Sequence, residues 1–328
     1  MSKWKKLILG GLIAIPLLLI GTYYGLAYVV YNTLTAIEPR CEREWMEGKR
    51  DNTPALFYSR YADEDPLVEM TQYAMPTYED VTFSPRDEEL ALSGWYIPAP
   101  EESENVIIIV HGIHSCKQDP TVLLPAGMLH RAGFNVLMIE LRNHGTSEIE
   151  DGRNSVGNRE HKDVLGAFDY LQERGFEAEH IGLVGISFGG GTATIAFGQE
   201  PDIAALWLDS PFGNIEEVVD YELQRNNIPT LFSAGALQIG QLNGVPLQLL
   251  SPEVEIAKHN GRPISIIHGT ADERVPFRFG EQLYENAGED AVFIPVEGMA
   301  HVEAVYAETD LYETALIAFF TGALGDTE

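Results

Sequence analysis

Basic side chains are scarce in this chain of 328 residues: 21 Lys and Arg stand against 50 Asp and Glu, a formal net charge of −29. Three of the 21, Lys3, Lys5 and Lys6, precede Glu38, so the rest of the chain sets 18 basic groups against 50 acidic ones, a net of −32. A surface so negative repels nucleic acid and anionic lipid headgroups, and no nucleic-acid partner is expected. It reads as a solubility device, and the shortage of lysine beside abundant Glu and Asp suits a salty habitat. Cysteine is nearly absent: Cys41 and Cys116 are too few for a disulfide framework, neither has an obvious partner, and the redox compartment stays open. Internal repeats and low-complexity runs are missing too. With 45% apolar and 22% charged residues, wholesale disorder is excluded. The length allows one large α/β domain with an appendage, or two small domains.

Charge is missing altogether between residues 7 and 37. As a helix, the more hydrophobic part, residues 7–30, extends roughly 36 Å, enough to cross a ~30 Å hydrocarbon core with some tilt, with Pro16 as a possible kink. Residues 1–37 are therefore expected to form a single-pass anchor, with the three lysines holding the N-terminus in the cytoplasm and the remaining chain outside. Tyr23, Tyr24, Tyr28 and Tyr31 fall toward the far end, where amphipathic rings favour the membrane interface. Arg40, Arg43, Lys49 and Arg50 on the other flank weaken the charge asymmetry. The rival reading is a cleaved signal peptide and secretion: residues 7–20 make an acceptable apolar core, and small residues recur at Gly25, Ala27 and Ala36.

Residues 38–75 read as a partly packed connector, with Trp45, Phe57, Tyr58, Tyr61 and Tyr73 among charges. Alternating segments at 79–84 and 90–97 around Pro85-Arg86-Asp87 suggest an antiparallel hairpin. Continuous apolar runs follow at 105–110, 134–139, 181–186, 204–208, 264–267 and 291–295, the pattern of buried parallel strands. Helical stretches lie between them near 122–132, 159–174, 192–199, 276–286 and 302–320. Strand and helix alternate, so a mainly parallel eight-stranded sheet with helices on both faces is expected for residues 76–325. Residues 210–263 break the alternation. A structureless loop of that length is improbable, and the segment is read as a small helical cap over the mouth of the sheet, or else an ordinary pair of connecting helices. Its Ile228, Leu231, Phe232, Leu237, Ile239, Leu247, Leu249 and Leu250 are the expected source of an apolar pocket wall.

Within residues 180–192 the run Gly185-Ile186-Ser187-Phe188-Gly189 fits a strand that turns abruptly into a helix. At such a turn a serine hydroxyl projects from the sheet, and the glycines let the backbone close. A hydroxyl becomes nucleophilic near neutral pH only with a base in reach and a third group orienting that base. Asp272 sits in a loop beyond the run ending at Ile267, and His301 in the loop beyond the last strand; Asp209, which also ends a strand, competes with Asp272 for the acid role. His111, His114 and Cys116 are close enough to raise a zinc site, but no carboxylate or second cluster completes it, and no metal is expected.

The chain order Ser, Asp, His, together with His111-Gly112, Glu140-Leu141-Arg142-Asn143-His144-Gly145-Thr146-Ser147, the serine turn and Asp272 with Val275-Pro276, resembles α/β-hydrolases of the bacterial carboxylesterase and serine-aminopeptidase-like type. The likeness spans some three quarters of the chain. It implies an α/β-hydrolase fold, a Ser187, His301 and Asp272 triad forming an acyl-enzyme, and an oxyanion hole from the backbone N–H groups of Ile113 and Phe188. His111 and His144 would brace loops. Glu140 stands where the family usually has Asp, Asn143 where it often has Gly, and Met299-Ala300 precedes His301 instead of a Gly-rich pair.

The implied reaction is hydrolysis of a carboxylic ester, thioester or amide in a small-molecule or lipid-like substrate, with no cofactor and with the oligomeric state open. The alternatives are a catalytically silent membrane-anchored interaction protein on the same fold, and a peptidase of the superfamily. Haloalkane and epoxide hydrolases are disfavoured because those relatives carry an aspartate at the position of Ser187. A catalytic domain starting near Met75 is expected to work without the N-terminal helix.

Overall fold

The computed structural model describes residues 3–38, 41, 51–58 and 70–325. Trp45 and Tyr61 of the connector, and the flanking Arg40, Arg43, Lys49 and Arg50, lie outside the described residues.

Eight strands form one sheet: β1 (Glu79–Phe83), β2 (Leu92–Ile97), β3 (Val106–Val110), β4 (Asn135–Ile139), β5 (Ile181–Ile186), β6 (Ala205–Asp209), β7 (Ile264–Gly269) and β8 (Val292–Val296). Their spatial order is β1-β2-β4-β3-β5-β6-β7-β8; β2 runs antiparallel to both its neighbours, and every other pairing is parallel. The apolar runs are continuous because both faces are covered. In β3, Val106, Ile108 and Val110 join one buried cluster, and Ile107 and Ile109 the other. One face carries α3 (His161–Glu173), α4 (Phe188–Gln199) and α8 (Phe277–Ala287); the other carries α2 (Pro120–Arg131) and α10 (Thr309–Leu324). The single helix expected over 302–320 is divided at Glu308, leaving a short α9 (Ala304–Ala307) before α10. The helix after the serine starts at Phe188 and so opens four residues before the small-residue run that marked it.

The segment 210–263 is helical, with α5 (Ile215–Arg225), α6 (Ser233–Leu242) and the short α7 (Pro252–Glu255). Asn214 caps α5 by accepting from the Glu217 N–H, and Tyr221 on α5 donates its hydroxyl to the Glu273 carbonyl, 2.6 Å away, fixing the cap over the carboxyl ends of the strands.

The charge-free N-terminal stretch is one helix, α1 (Lys3–Thr35), continuous through Pro16. Among the described residues, Leu12–Thr35 is long and apolar enough to cross a membrane. Its first and second halves differ. Residues 12–22 are exposed, whereas Ala27, Val30 and Tyr31 are buried against the rest of the chain. Gly235 of α6 lies against Ala27 and Tyr23, where a Cβ would come within 2.7 Å of Ala27 Cβ. Past the helix, Ile37 N–H donates to Gly152 O (2.9 Å), Asn154 N–H donates to Thr35 O (2.7 Å), and Arg153 donates to Asn32 Oδ1 (2.6 Å) and Thr35 Oγ1 (2.9 Å).

The expectation for the cysteines is overturned: Cys41 and Cys116, 75 residues apart, form a disulfide that ties the chain just beyond α1 to the loop after β3. Spacing hid the pair, since the two meet only once α1 has docked.

Candidate active site

The serine turn closes because its glycines have no side chains. A Cβ on Gly185 would lie 2.7 Å from Gly189 O, and one on Gly189 would lie 2.3 Å from Val110 O. Ser187 itself adopts φ 53° and ψ −116°, a conformation costing about 1–3 kcal/mol, held by a bond from its N–H to Asp209 O (2.8 Å) and by the start of α4. Strain thus raises the hydroxyl above the sheet, where it remains almost buried.

The structure brings Ser187, His301 and Asp272 together. His301 Nε2 lies 2.9 Å from Ser187 Oγ, and His301 Nδ1 lies 2.7 Å from Asp272 Oδ2. A carboxylate beside Nδ1 accepts its proton, which leaves the Nε2 lone pair facing the serine hydroxyl. Asp272 is held in turn: its Oδ1 accepts from the N–H groups of Arg274 and Val275, both at 2.8 Å, and His268 Nε2 is 3.2 Å from Oδ2. Burial alone pushes the Asp272 carboxyl up, but the hydrogen bonds from His268, His301 and Val275 outweigh it and hold the group well below the usual carboxylate range.

The loops bearing Asp272 and His301 are stitched together. Ala271 N–H donates to Met299 O (3.0 Å), Gly298 N–H donates to Thr270 Oγ1 (2.8 Å), and Gly269 lets the backbone of Met299 and Ala300 pass where a Cβ would lie 2.2 Å from Met299 O. Asp209 plays a different part. Ser210 Oγ donates to Asp209 Oδ1 (2.9 Å) and accepts from the Val302 N–H (3.2 Å), so Asp209 supports the histidine loop from behind without touching the imidazole. Burial raises its carboxyl to about 6.

Gly112 approaches the serine closely enough that a Cβ there would sit 3.5 Å from Ser187 Cβ, and Ile113 and Phe188 line one cavity with Ser187. His111 Nδ1–H donates to Gly112 O (2.7 Å) while Nε2 accepts from the Leu141 N–H (3.2 Å), which shapes the Ile113 loop. His144 Nδ1–H donates to Arg142 O (2.8 Å), and the two imidazoles meet edge to face. Burial lowers the His111 pKa to about 4 and, with the neighbouring His111, that of His144 to about 3. Both rings are therefore neutral braces. Cys116 is engaged in the disulfide and His111 uses both ring nitrogens, which removes two of the three groups that raised a zinc site.

A family model described as alpha/beta hydrolase fold matches residues 105–276, just over half of the chain. The chain belongs to the alpha/beta hydrolase family. It is 28% identical over 263 residues to the uncharacterized protein YfhR of Salmonella typhi, covering 75% of this chain and 82% of that one. It is 29% identical over 226 residues to the acylamino-acid-releasing enzyme of Homo sapiens, covering 64% of this chain but 30% of that enzyme. Among solved structures, the esterase Pf2001 of Pyrococcus furiosus superposes with a TM-score of 0.63 at 20% identity over 78% of this chain and 94% of that chain. A puromycin-hydrolyzing peptidase of Mycobacterium tuberculosis superposes with a TM-score of 0.61 at 19% identity, over 77% and 40%. The family thus has esterase and peptidase neighbours.

Asn143, in the left-handed region at φ 64° that favours glycine, accepts through Oδ1 from the N–H groups of Glu150, Asp151 and Gly152 (2.8, 3.1 and 2.9 Å) and donates to Arg153 O (2.9 Å). It shapes the loop on which residues 32–37 dock. Glu140 in place of Asp reaches over Gly145 to accept from the Thr146 N–H (2.7 Å) and from buried Lys117 (3.3 Å).

The Ser187 cavity is about 160 Å³ in volume. Its apolar wall comes from α5, through Val218 and Val219, with Phe212 and Phe279, and from the end of α1, through Thr33 and Leu34. The residues expected to form this wall do not: Leu237, Ile239 and Leu247 are buried in the cluster they share with Ala27, Val30 and Tyr31 of α1, while Leu231 and Leu249 face outward. Helical periodicity in a short cap cannot tell its interior from the face turned to the serine. Because α1 contributes to this wall, residues 76–325 do not supply the whole lining of the cavity. His268, Ser210 and Leu34 were missed; only His268, four residues before Asp272, left a local trace.

Proposed function

We propose that this alpha/beta hydrolase is a serine hydrolase that cleaves carboxylic esters carrying a short apolar acyl group. The hydrogen-bonded chain from Ser187 Oγ through His301 to Asp272 is the observation that carries the reading. In it, Ser187 attacks the carbonyl carbon as His301 Nε2 takes the hydroxyl proton; the tetrahedral oxyanion lies against the N–H groups of Ile113 and Phe188; and His301 returns the proton to the departing alkoxide. Water deprotonated by the same imidazole then releases the acid and restores the serine. No step calls for a cofactor.

A peptidase reading has support in the family neighbours. Among the described residues, Glu222 is the carboxylate lining the cavity, and its partner is Arg274, so it is not free to receive the ammonium of an unblocked peptide. This favours esters, or substrates whose amine is acylated. Membrane attachment through α1, with the catalytic domain outside the cytoplasm, is supported by the apolar helix, by the lysines at its start and by a disulfide, which persists in oxidising compartments.

Fluorophosphonate labelling of the full-length protein tests the nucleophile. Ser187→Ala is expected to abolish labelling and to lower ester turnover by roughly 10⁴- to 10⁶-fold with the fold retained. Undiminished labelling would refute the assignment. A panel of soluble esters beside acylamino-acid anilides separates the esterase from the peptidase.

A further inference from the structure

Only the first part of α1 is free of the domain. Residues 12–22 are exposed, and contact begins at Tyr23, whose hydroxyl donates to Leu231 O (3.1 Å) and whose ring lies against Gly235. From residue 7, the first after the lysines, to residue 22 the helix measures roughly 24 Å at about 1.5 Å per residue, a few ångströms less than a ~30 Å hydrocarbon core. A span of that length leaves no linker. If α1 crosses the bilayer, the domain begins where the hydrocarbon ends.

The cap surface at that level differs from the rest of the molecule. Residues 226–252 contain no Asp, Glu, Lys or Arg, the longest such run after α1 in a chain of net charge −29. α6 packs on α1 at the level of Tyr23 and Tyr24: Gly235 meets Ala27 and Tyr23, and Gln238 accepts from the Tyr24 hydroxyl (2.8 Å). Leu242 lies one turn beyond Gln238 on the same stripe of α6. Leu242 is 83% exposed and Leu231 59% exposed, and on the undocked side of α1 Leu26 and Val29 are exposed as well. Exposed leucines in an uncharged belt beside a membrane-spanning helix, with two tyrosines at their centre, match the composition of a bilayer interface.

We propose that the cap lies on the membrane, with Leu231 and the C-terminal end of α6 seated in the lipid interface on the side from which α1 emerges. The proposal rests on α1 being the membrane span. It adds that the domain is held against the lipid by a second contact and does not swing on a tether. Thr33 and Leu34 line the Ser187 cavity about ten residues along the same helix, roughly 15 Å from Tyr23, so part of the cavity wall stands within that distance of the bilayer surface. The substrate class this fits is an ester whose short acyl group is carried on a membrane-resident alcohol.

The test uses the full-length protein in phosphatidylcholine nanodiscs. Both native cysteines are in the disulfide, so single cysteines carry one polarity-sensitive dye each. The positions are Leu18→Cys on free α1, Leu231→Cys and Leu242→Cys on the cap, and Val254→Cys, exposed on α7 between Glu253 and Glu255. Blue-shifted emission and quenching by nitroxide-bearing phospholipid are expected at 18, 231 and 242 and not at 254. Quenching at 18 alone would overturn the docked cap and leave the span standing. Absence of quenching at 18 would remove the span and the proposal with it.

Discussion

Shortening one side chain of the N-terminal helix should change which acyl chains the enzyme accepts. Leu34 is half-buried and lines the Ser187 cavity from α1. A cavity of about 160 Å³ matches the ~150 Å³ that holds a benzene-sized group, so about six carbons fill it. Each methylene buried up to that point contributes about 0.8 kcal/mol, close to a fourfold gain in kcat/KM, and from acetyl to hexanoyl the limit is about 3 kcal/mol, or roughly 200-fold. Beyond six carbons the gain should stop. Leu34→Ala removes three carbons from the wall and should move the break to about eight or nine carbons. It should destabilise the fold by no more than about 2 kcal/mol, because the leucine is not fully buried. The assay is kcat/KM on a homologous series of soluble p-nitrophenyl esters, with the urea midpoint measured alongside. An unchanged break in well-folded Leu34→Ala protein would refute the wall, and a flat profile in the parent protein would refute the pocket. The same reasoning predicts that a chain cut near Met75 loses rate and chain-length selectivity even on soluble esters.

Three further outcomes follow from the site and its supports. Asp272→Asn should lower turnover by roughly 10⁴-fold by upsetting the imidazole, while Asp209→Asn, one residue removed from the histidine loop, should cost far less; the reverse ranking in folded protein would make Asp209 the acid. Because His111 and His144 are held neutral, with pKa values lowered to about 4 and about 3, the unfolded chain binds more protons than the native one. Their contribution is full above about 6.5 and is lost as pH falls toward those values, so urea stability should decline below pH 6.5 and His144→Gln should flatten that decline. Reducing the Cys41–Cys116 bond opens a constraint over 75 residues, worth about 4 kcal/mol in the chain-entropy view; an identical urea midpoint with and without reductant would exclude it as a stabilising link.

Much of the site was legible in one dimension because its chemistry sits at strand ends. A buried parallel strand announces itself as a short apolar run, and the residues just beyond it must be loops at the carboxyl edge, so Ser187, Asp272 and His301 could be placed without knowing how the strands pair. The choice between Asp272 and Asp209 could not be made that way, since both end strands and only the packing of two loops shows which carboxylate reaches Nδ1. The role of α1 was hidden for another reason. Ala27, Val30, Tyr31 and Leu34 repeat at helical spacing, but their neighbours are as apolar as they are, so no contrast marks the face that meets protein from the face that meets lipid. The cysteine pair and the Arg153–Asn32 contact join residues 75 and 121 positions apart. Local pattern determined which segments are buried and where the chain turns; which buried surface meets which other was decided only by the packed fold, because burial is a property of a residue and contact is a property of a pair.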